Sequence, residues 1–222
     1  MTRVSVLVSG GGANLQPILD LYRSGEVPEL EVCAVVSSME GAAALERAKA
    51  AGVPGYLVER AMFPHNASFC NALLNKLRDL DTDLVVCAGF TEKLNYVLLR
   101  YYKYRVINAQ PVLFPAFCNG ELDAMRALKG TLDLGLRVTG ATSYFLGNED
   151  NGYGPIISQR VVEIRPGDTV ATLGERVMRQ GEWKVLTDAV TLYCKGRLQV
   201  SGGRVLILDR DPEQPNQDGE AL

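Results

Sequence analysis

Residues 3–8, Arg-Val-Ser-Val-Leu-Val, form a short β-branched run that passes directly into Ser9-Gly10-Gly11-Gly12-Ala13-Asn14. From Asn14 to Ser24 the apolar residues Leu15, Ile18, Leu19 and Tyr22 then recur at helical spacing. Strand, glycine loop and helix in this order make an α/β unit. Backbone N–H groups in such a loop can approach an anion with no Cβ in the way, and the helix N-terminus adds partial positive charge. The spacing is neither G-x-G-x-x-G nor the Gly-Lys-Ser/Thr of a P-loop. Taken alone, the segment reads either as a phosphate cradle or as a tight strand-to-helix turn with Asn14 as the cap.

The alternation continues along the chain. A strand over Leu30–Ser37 is followed by an alanine-rich helix over Gly41–Ala51, a strand over Gly55–Val58, and a helix after Pro64 with Phe69, Leu73, Leu77 and Leu80 on one face. Leu84–Ala88 is almost uninterruptedly apolar, as a strand covered on both faces must be, and belongs in the middle of a parallel sheet. A helix near Leu94–Tyr102 precedes a strand over Arg105–Asn108. The second half changes character. Arg137–Leu146 and Pro155–Ile164 read as antiparallel strands on the sheet edge, joined by the polar loop Gly147–Gly154. A long helix is expected over Thr172–Lys195, and Leu198–Val200 with Val205–Leu208 read as a hairpin around Ser201-Gly202-Gly203. The fold class is therefore α/β, a doubly wound, mostly parallel sheet with an antiparallel edge in the second half. One domain is expected over 1–208, with a disordered tail over 209–222.

Charge narrows the ligand. With a formal net charge of −3, the chain has no global attraction for nucleic acid or an anionic membrane, so any phosphate must be held locally. A small phosphorylated metabolite fits that best. The glycines interrupt the N-terminal apolar run too early for a signal sequence, and no stretch reaches the length of a membrane span, so a cytoplasmic location is expected. Cys33, Cys70, Cys87, Cys118 and Cys194 have no C-x-x-C spacing, which argues against a disulfide framework and a zinc site; no metal is expected.

A second candidate site is Val106-Ile107-Asn108-Ala109-Gln110-Pro111, where two amides project near the C-terminal edge of a strand, the ligand side of an open α/β sheet. An amide can polarise an acyl oxygen or fix its orientation, but it exchanges no proton at neutral pH. The alternative is that Asn108 and Gln110 only satisfy backbone groups before Pro111.

The order of residues 6–16, Cys-Ala-Gly-Phe (87–90), Ile-Asn-Ala-Gln-Pro (107–111), Gly-Ala-Thr (140–142), Gly-Pro-Ile-Ile (154–157) and Gly-Glu-Trp-Lys-Val-Leu (181–186) resembles the phosphoribosylglycinamide formyltransferase family. The resemblance implies formyl transfer from 10-formyltetrahydrofolate, as co-substrate, to the amine of glycinamide ribonucleotide in purine synthesis. It implies that Gly11, Gly12, Ala13 and Asn14 hold the phosphate and that Glu182 faces the sugar or glycinamide end. Thr91, Glu92, Lys93 and Leu94, with Val106 and Asn108, are implied to line the folate site. Members of the family are monomers or homodimers.

The departures fall on the catalytic positions. The family's Asn is kept as Asn108, but its His is Gln110 and its Asp is Gly152. Arginines of the family are replaced by Asn66 and Glu92, and its Lys-x-His by Arg126 and Leu128. His65 reads as an exposed residue at a helix start, and Asp150 as part of a glycine-rich turn, rather than as substitutes for the missing pair. Three functions fit. One is a formyltransferase using Asn108 and Gln110, and another is an impaired relative that binds a phosphorylated metabolite in a regulatory or partner role. The third is acyl transfer or hydrolysis on another substrate, with Glu92 and Lys93 supplying charge.

Overall fold

The computed structural model describes residues 1–115, 124–147 and 153–209. Cys118, Asp150, Gly152 and the tail from residue 210 lie outside the described residues.

The strands β1 (Thr2–Val8), β2 (Leu30–Ser37), β3 (Gly55–Leu57), β4 (Leu84–Cys87), β5 (Val106–Gln110), β6 (Val138–Leu146) and β7 (Tyr153–Glu163) form one sheet in the order β3-β2-β1-β4-β5-β6-β7. The first five run parallel, and β6 and β7 add antiparallel at the edge. Between them run helices α1 (Gln16–Ser24), α2 (Ala43–Ala50), α3 (Asn66–Asp79), α4 (Tyr96–Tyr101), α5 (Ala124–Asp133), α6 (Val170–Val177) and α7 (Trp183–Cys194). The expected doubly wound sheet with an antiparallel edge is what forms. A separate hairpin, β8 (Leu198–Ser201) with β9 (Arg204–Ile207), turns through Gly202 and Gly203, both at positive φ.

Period-two alternation divides β1 and β4 between two cores. Val4, Val6 and Val8 of β1 and Leu84 and Val86 of β4 face α1, α2, α6 and α7. Leu7, Val85 and Cys87 face α3 and α4. Ser5 is the polar exception in this buried strand, and its hydroxyl is satisfied by Thr82 Oγ1 at 2.7 Å. Cys33, Cys70, Cys87 and Cys194 are buried free thiols, and burial pushes Cys87 and Cys194 up to about 12. No helix among the described residues is long and apolar enough to cross a membrane.

Two expectations need correction. The helix read over Thr172–Lys195 is three pieces. Thr169 caps α6 through a reciprocal bond pair with Thr172, so the helix begins earlier, at Val170. Between α6 and α7 the chain makes a π-helical turn over Met178–Glu182. Near its end Gly181 lies so close to β6 and β7 that a Cβ there would sit 3.1 Å from Ala141 Cβ. The second difference is α5, for which no helix was expected. Ala127, Leu128 and Thr131 form its buried stripe, and Gly130 interrupts the pattern in the sequence.

The β6–β7 pair depends on one small residue. A Cβ on Gly140 would lie 2.0 Å from the Arg160 carbonyl oxygen and 2.7 Å from Leu113 Cδ2, and backbone cannot yield as a side-chain tip can. Gly10, by contrast, has open space where its Cβ would be. Gly140→Ala is expected to cost about 3 kcal/mol, at the upper end of overpacking penalties, and Gly10→Ala to stay within ~0.5 kcal/mol of wild type. Urea unfolding of the three proteins checks this; equal midpoints for Gly140→Ala and wild type would refute the close approach.

Candidate functional site

The strand order reverses between β1 and β4, so the loops that leave their C-terminal ends diverge and open a crevice. Ser9 ties this crevice together. Its N–H donates to Gly89 O at 3.2 Å, its hydroxyl accepts from Thr91 N–H at 3.0 Å, and the same hydroxyl meets Ser38 Oγ at 2.7 Å. Loops after β1, β2 and β4 therefore share one buried oxygen.

Gly12 sits at φ 71°, and a Cβ on it would lie 2.9 Å from Ala44 Cα in α2, so conformation and space both require glycine. Its carbonyl accepts from Leu15 and Gln16 N–H, which turns the chain into α1. Among the described residues the N–H groups of Gly11, Gly12 and Ala13 donate to no protein acceptor. Gly11 and Ala13 are exposed, so the loop presents unpaired donors at its surface.

Asn14 is not the cap of α1. That position is Leu15, without a side-chain cap bond. The Asn14 amide turns instead to the far end of the chain, donating from Nδ2 to Glu182 Oε1 at 2.8 Å and accepting from Trp183 Nε1 at 3.1 Å. The π-helical turn is what delivers Glu182 to this place, and single π turns recur at functional sites. Glu182 is only 8% exposed. Burial raises its carboxyl to about 7, against the opposing pull of the Asn14 bond.

Two guanidinium groups that the sequence reading passed over flank the loop. Arg47 of α2 donates from Nε to Gly11 O at 2.9 Å and from Nη1 to Gln16 Oε1 at 3.0 Å. Arg179 lies 5.6 Å from the ring centroid of Trp183, whose indole N–H reaches Asn14. Helical spacing of Arg179, Glu182 and Trp183 was the available signal.

The second cluster forms on β5 and β6. Register sets Asn108 opposite Tyr144 and Gln110 opposite Thr142, with Gln159 of β7 opposite Thr142, so these side chains share one face. Asn108 Nδ2 donates to the Tyr144 hydroxyl at 3.0 Å. Thr142 Oγ1 donates to Val112 O and accepts from Phe114 N–H and Gln159 Nε2, pinning the chain that follows Pro111. Asn108 and Gln110 belong to the strand itself and are half-buried. The face around Asn108 is built of amides and hydroxyls, and Tyr144 on it is pushed above its ordinary range by burial.

The remaining predicted residues follow β4. Thr91 is held to Ser9, and Glu92 lies 3.6 Å from Arg60 Nε. The Lys93 carbonyl accepts from Asn66 Nδ2 at 3.0 Å, while Leu94 packs on the core beside α3 and α4. Val106 is 1% exposed within that same core. His65 is exposed at the start of α3 and makes no side-chain cap bond. Leu128, in the family's His register, is a core residue. A cavity of about 400 Å³ is lined by Leu99, Lys103, Tyr104, Leu146, Tyr153 and Pro155 among others, and by none of the amide-bearing residues Asn108, Gln110 and Gln159. Among the described residues no group of His, Cys, Asp and Glu could hold a metal ion.

Comparison with known proteins gives the same picture. Residues 2–190 match the family model described as "Formyl transferase". The trifunctional purine biosynthetic protein adenosine-3 of Bos taurus is 34% identical over 94% of this chain, which spans only 20% of that protein's length. Phosphoribosylglycinamide formyltransferase of Haemophilus influenzae is 30% identical, with 90% of this chain and 91% of that protein covered. The crystal structure of glycinamide ribonucleotide transformylase 1 from Symbiobacterium toebii superposes with a TM-score of 0.86 at 37% identity, covering 94% of this chain and 95% of the other. Sequence and fold together establish that this chain belongs to the phosphoribosylglycinamide formyltransferase family.

Proposed function

We propose that the chain binds the phosphate of glycinamide ribonucleotide on the free N–H groups of Gly11, Gly12 and Ala13. We propose further that it transfers a formyl group from 10-formyltetrahydrofolate to the ribonucleotide's amine, with amide groups rather than a histidine polarising the carbonyl. The observation that carries this reading is the Asn14–Glu182–Trp183 network, which builds a binding corner around unpaired donors. Arg47 supplies positive charge beside it, while Arg179, over the Trp183 ring, is paired with Glu175. A carboxylate at Glu182 suits the hydroxyl groups of a ribose, each of which donates one hydrogen bond.

The chemistry assigned to Asn108 is electrostatic. The amine forms a bond to the formyl carbon, the carbonyl electron pair moves to oxygen, and its return breaks the bond to N10 of the folate. The proton shed by the amine passes to N10. Asn108 N–H stabilises the oxygen as charge develops there, and the site holds the two reactants together. Gln110 adds a neutral donor where the family resemblance implies a histidine. A second reading, a binding protein without turnover, is favoured by the neutrality of the β5–β6 face. A transfer assay separates the two.

In that assay Asn108→Ala is expected to lower the turnover number by about 10²-fold or more, the usual cost of losing one oxyanion donor. Gln110→His combined with Gly152→Asp is expected to raise it by between ~10² and ~10⁴. No formyl transfer above background by the wild type, together with tight ribonucleotide binding, would establish the binding reading instead.

Glu182 links binding to pH. Its carboxyl stands at about 7 in the free protein, and ribose hydroxyls donating to it favour the charged form. Ligand binding then lowers the value, so a proton is released on binding near pH 6, and affinity rises with pH towards 7. Calorimetry in buffers of different ionisation enthalpy measures that release. Glu182→Gln is expected to abolish the Glu182 share and leave only what the ligand phosphate contributes; an unchanged release in the variant refutes the contact. Folding shows the opposite slope, because the native carboxyl is raised from 4.5 to about 7. Its stabilising contribution is full below pH 4.5 and falls by roughly 3 kcal/mol as pH rises through 7. Glu182→Gln should flatten this part of the stability–pH curve.

A further inference from the structure

Tyr144 is firmly fixed on the β5–β6 face. It is 2% exposed, and its ring lies 4.9 Å from that of Phe114 and 5.9 Å from that of Tyr153. Phe114 and Tyr153 are themselves 4.7 Å apart, so the three rings brace one another. The phenol cannot swing away. Strand register sets it opposite Asn108, and its oxygen stands 3.0 Å from Asn108 Nδ2.

An asparagine on a strand has a broad, two-fold torsion at its amide. Left alone, Asn108 would present its N–H₂ and its C=O to the crevice about equally. Only the N–H end stabilises a carbonyl oxygen. The phenol removes the ambiguity by accepting one of the two N–H bonds. Burial keeps it protonated, so Tyr144 works as a neutral acceptor for the Asn108 amide.

We propose that Tyr144 is a positioning residue: its buried hydroxyl holds one N–H of Asn108, so that the second N–H is presented to the formyl oxygen. This role rests on the formyl-transfer reading given above. It assigns a function to a residue outside the glycine loop, the Asn108–Gln110 pair and the folate-lining segment. The site is then built on a neutral pair, Asn108 and Tyr144, in which orientation takes the place of proton transfer.

Tyr144→Phe deletes one oxygen and keeps the ring in its braced position. Calorimetry compares wild type and variant with a stable N10-formylated folate analogue and with the same analogue lacking the formyl group. The variant is expected to lose about tenfold of the preference for the formylated compound, the worth of one net hydrogen bond. Affinity for the unformylated compound should stay within about twofold, because only the formyl oxygen meets the oriented amide. Equal weakening of both compounds overturns the proposal, since a packing role would not discriminate between them. A second measurement needs no folate. The Asn108 side-chain amide signals, identified by their absence in Asn108→Ala, should shift in Tyr144→Phe, and unmoved signals overturn the proposal. If the wild type binds neither analogue while the amide signals do shift, the formyl-transfer reading falls and the Tyr144–Asn108 contact stands.

Discussion

β1 is buried on both faces between β2 and β4, and the strand order reverses beside it. Its chain must therefore leave the sheet on one side while the chain from β4 leaves on the other, and the space between the loops is fixed by topology before any side chain is chosen. What side chains add is closure. Ser9 binds the loops after β2 and β4 to the loop after β1. Asn14 then carries the same loop across to Glu182 and Trp183, residues 168 and 169 positions away in the sequence. The glycine loop is thus held from below by the sheet and from the side by the last long helix. Its free N–H groups belong to a frame with little room to rearrange, the condition under which backbone dipoles bind an anion well.

The extended elements were legible because burial writes them plainly. Leu84–Val85–Val86–Cys87 must satisfy cores on both faces and is apolar throughout, whereas β7 lies at the sheet edge and mixes exposed Val161 with buried Val162. The helix α5 was not legible, since its buried stripe of Ala127, Leu128 and Thr131 holds a single large apolar residue and Gly130 breaks the pattern. The π-helical turn was hidden for a different reason. One wide turn adds a single residue to a continuous helical pattern, and hydrophobic spacing cannot separate that from a regular helix. Yet this turn puts Glu182 against Asn14. Tyr144 escaped notice because its partner is set by cross-strand register, which links residues 36 positions apart and leaves no local motif. Asn14, read as an alternative cap, proved to be a long-range tie.

Charge is distributed unevenly between the two halves of the crevice. Around the glycine loop stand Arg47, Arg179 and the carboxyl of Glu182, a set that can answer a phosphate and a sugar. Near the loop after β4, Glu92 stands where the family resemblance implies an arginine and is answered by Arg60 at 3.6 Å. Both partners are partly exposed, so the pair adds little to stability, and its opposite charges largely offset each other at that mouth. Between these regions the β5–β6 face is neutral. The side chains immediately around Asn108, namely Tyr144, Thr142, Gln110 and Gln159, are all neutral.

Magnitudes decide what such a division can do. Losing a general acid–base pair forfeits a factor of ~10² to ~10⁴, or about 3–5 kcal/mol of barrier. Holding two reactants in attack geometry supplies about 7–11 kcal/mol when alignment is good. In the reaction proposed above, the larger contribution depends on the glycine loop, Glu182 and a correctly turned Asn108. An amine that attacks in its neutral form needs no base to generate the nucleophile, and its proton is lost only after the new bond has formed. In the proposed reaction, Gln110 in place of histidine therefore bears on the collapse of the intermediate more than on its formation. On the same proposal, the precision with which Tyr144 holds the Asn108 amide governs how much of the remaining barrier can be lowered.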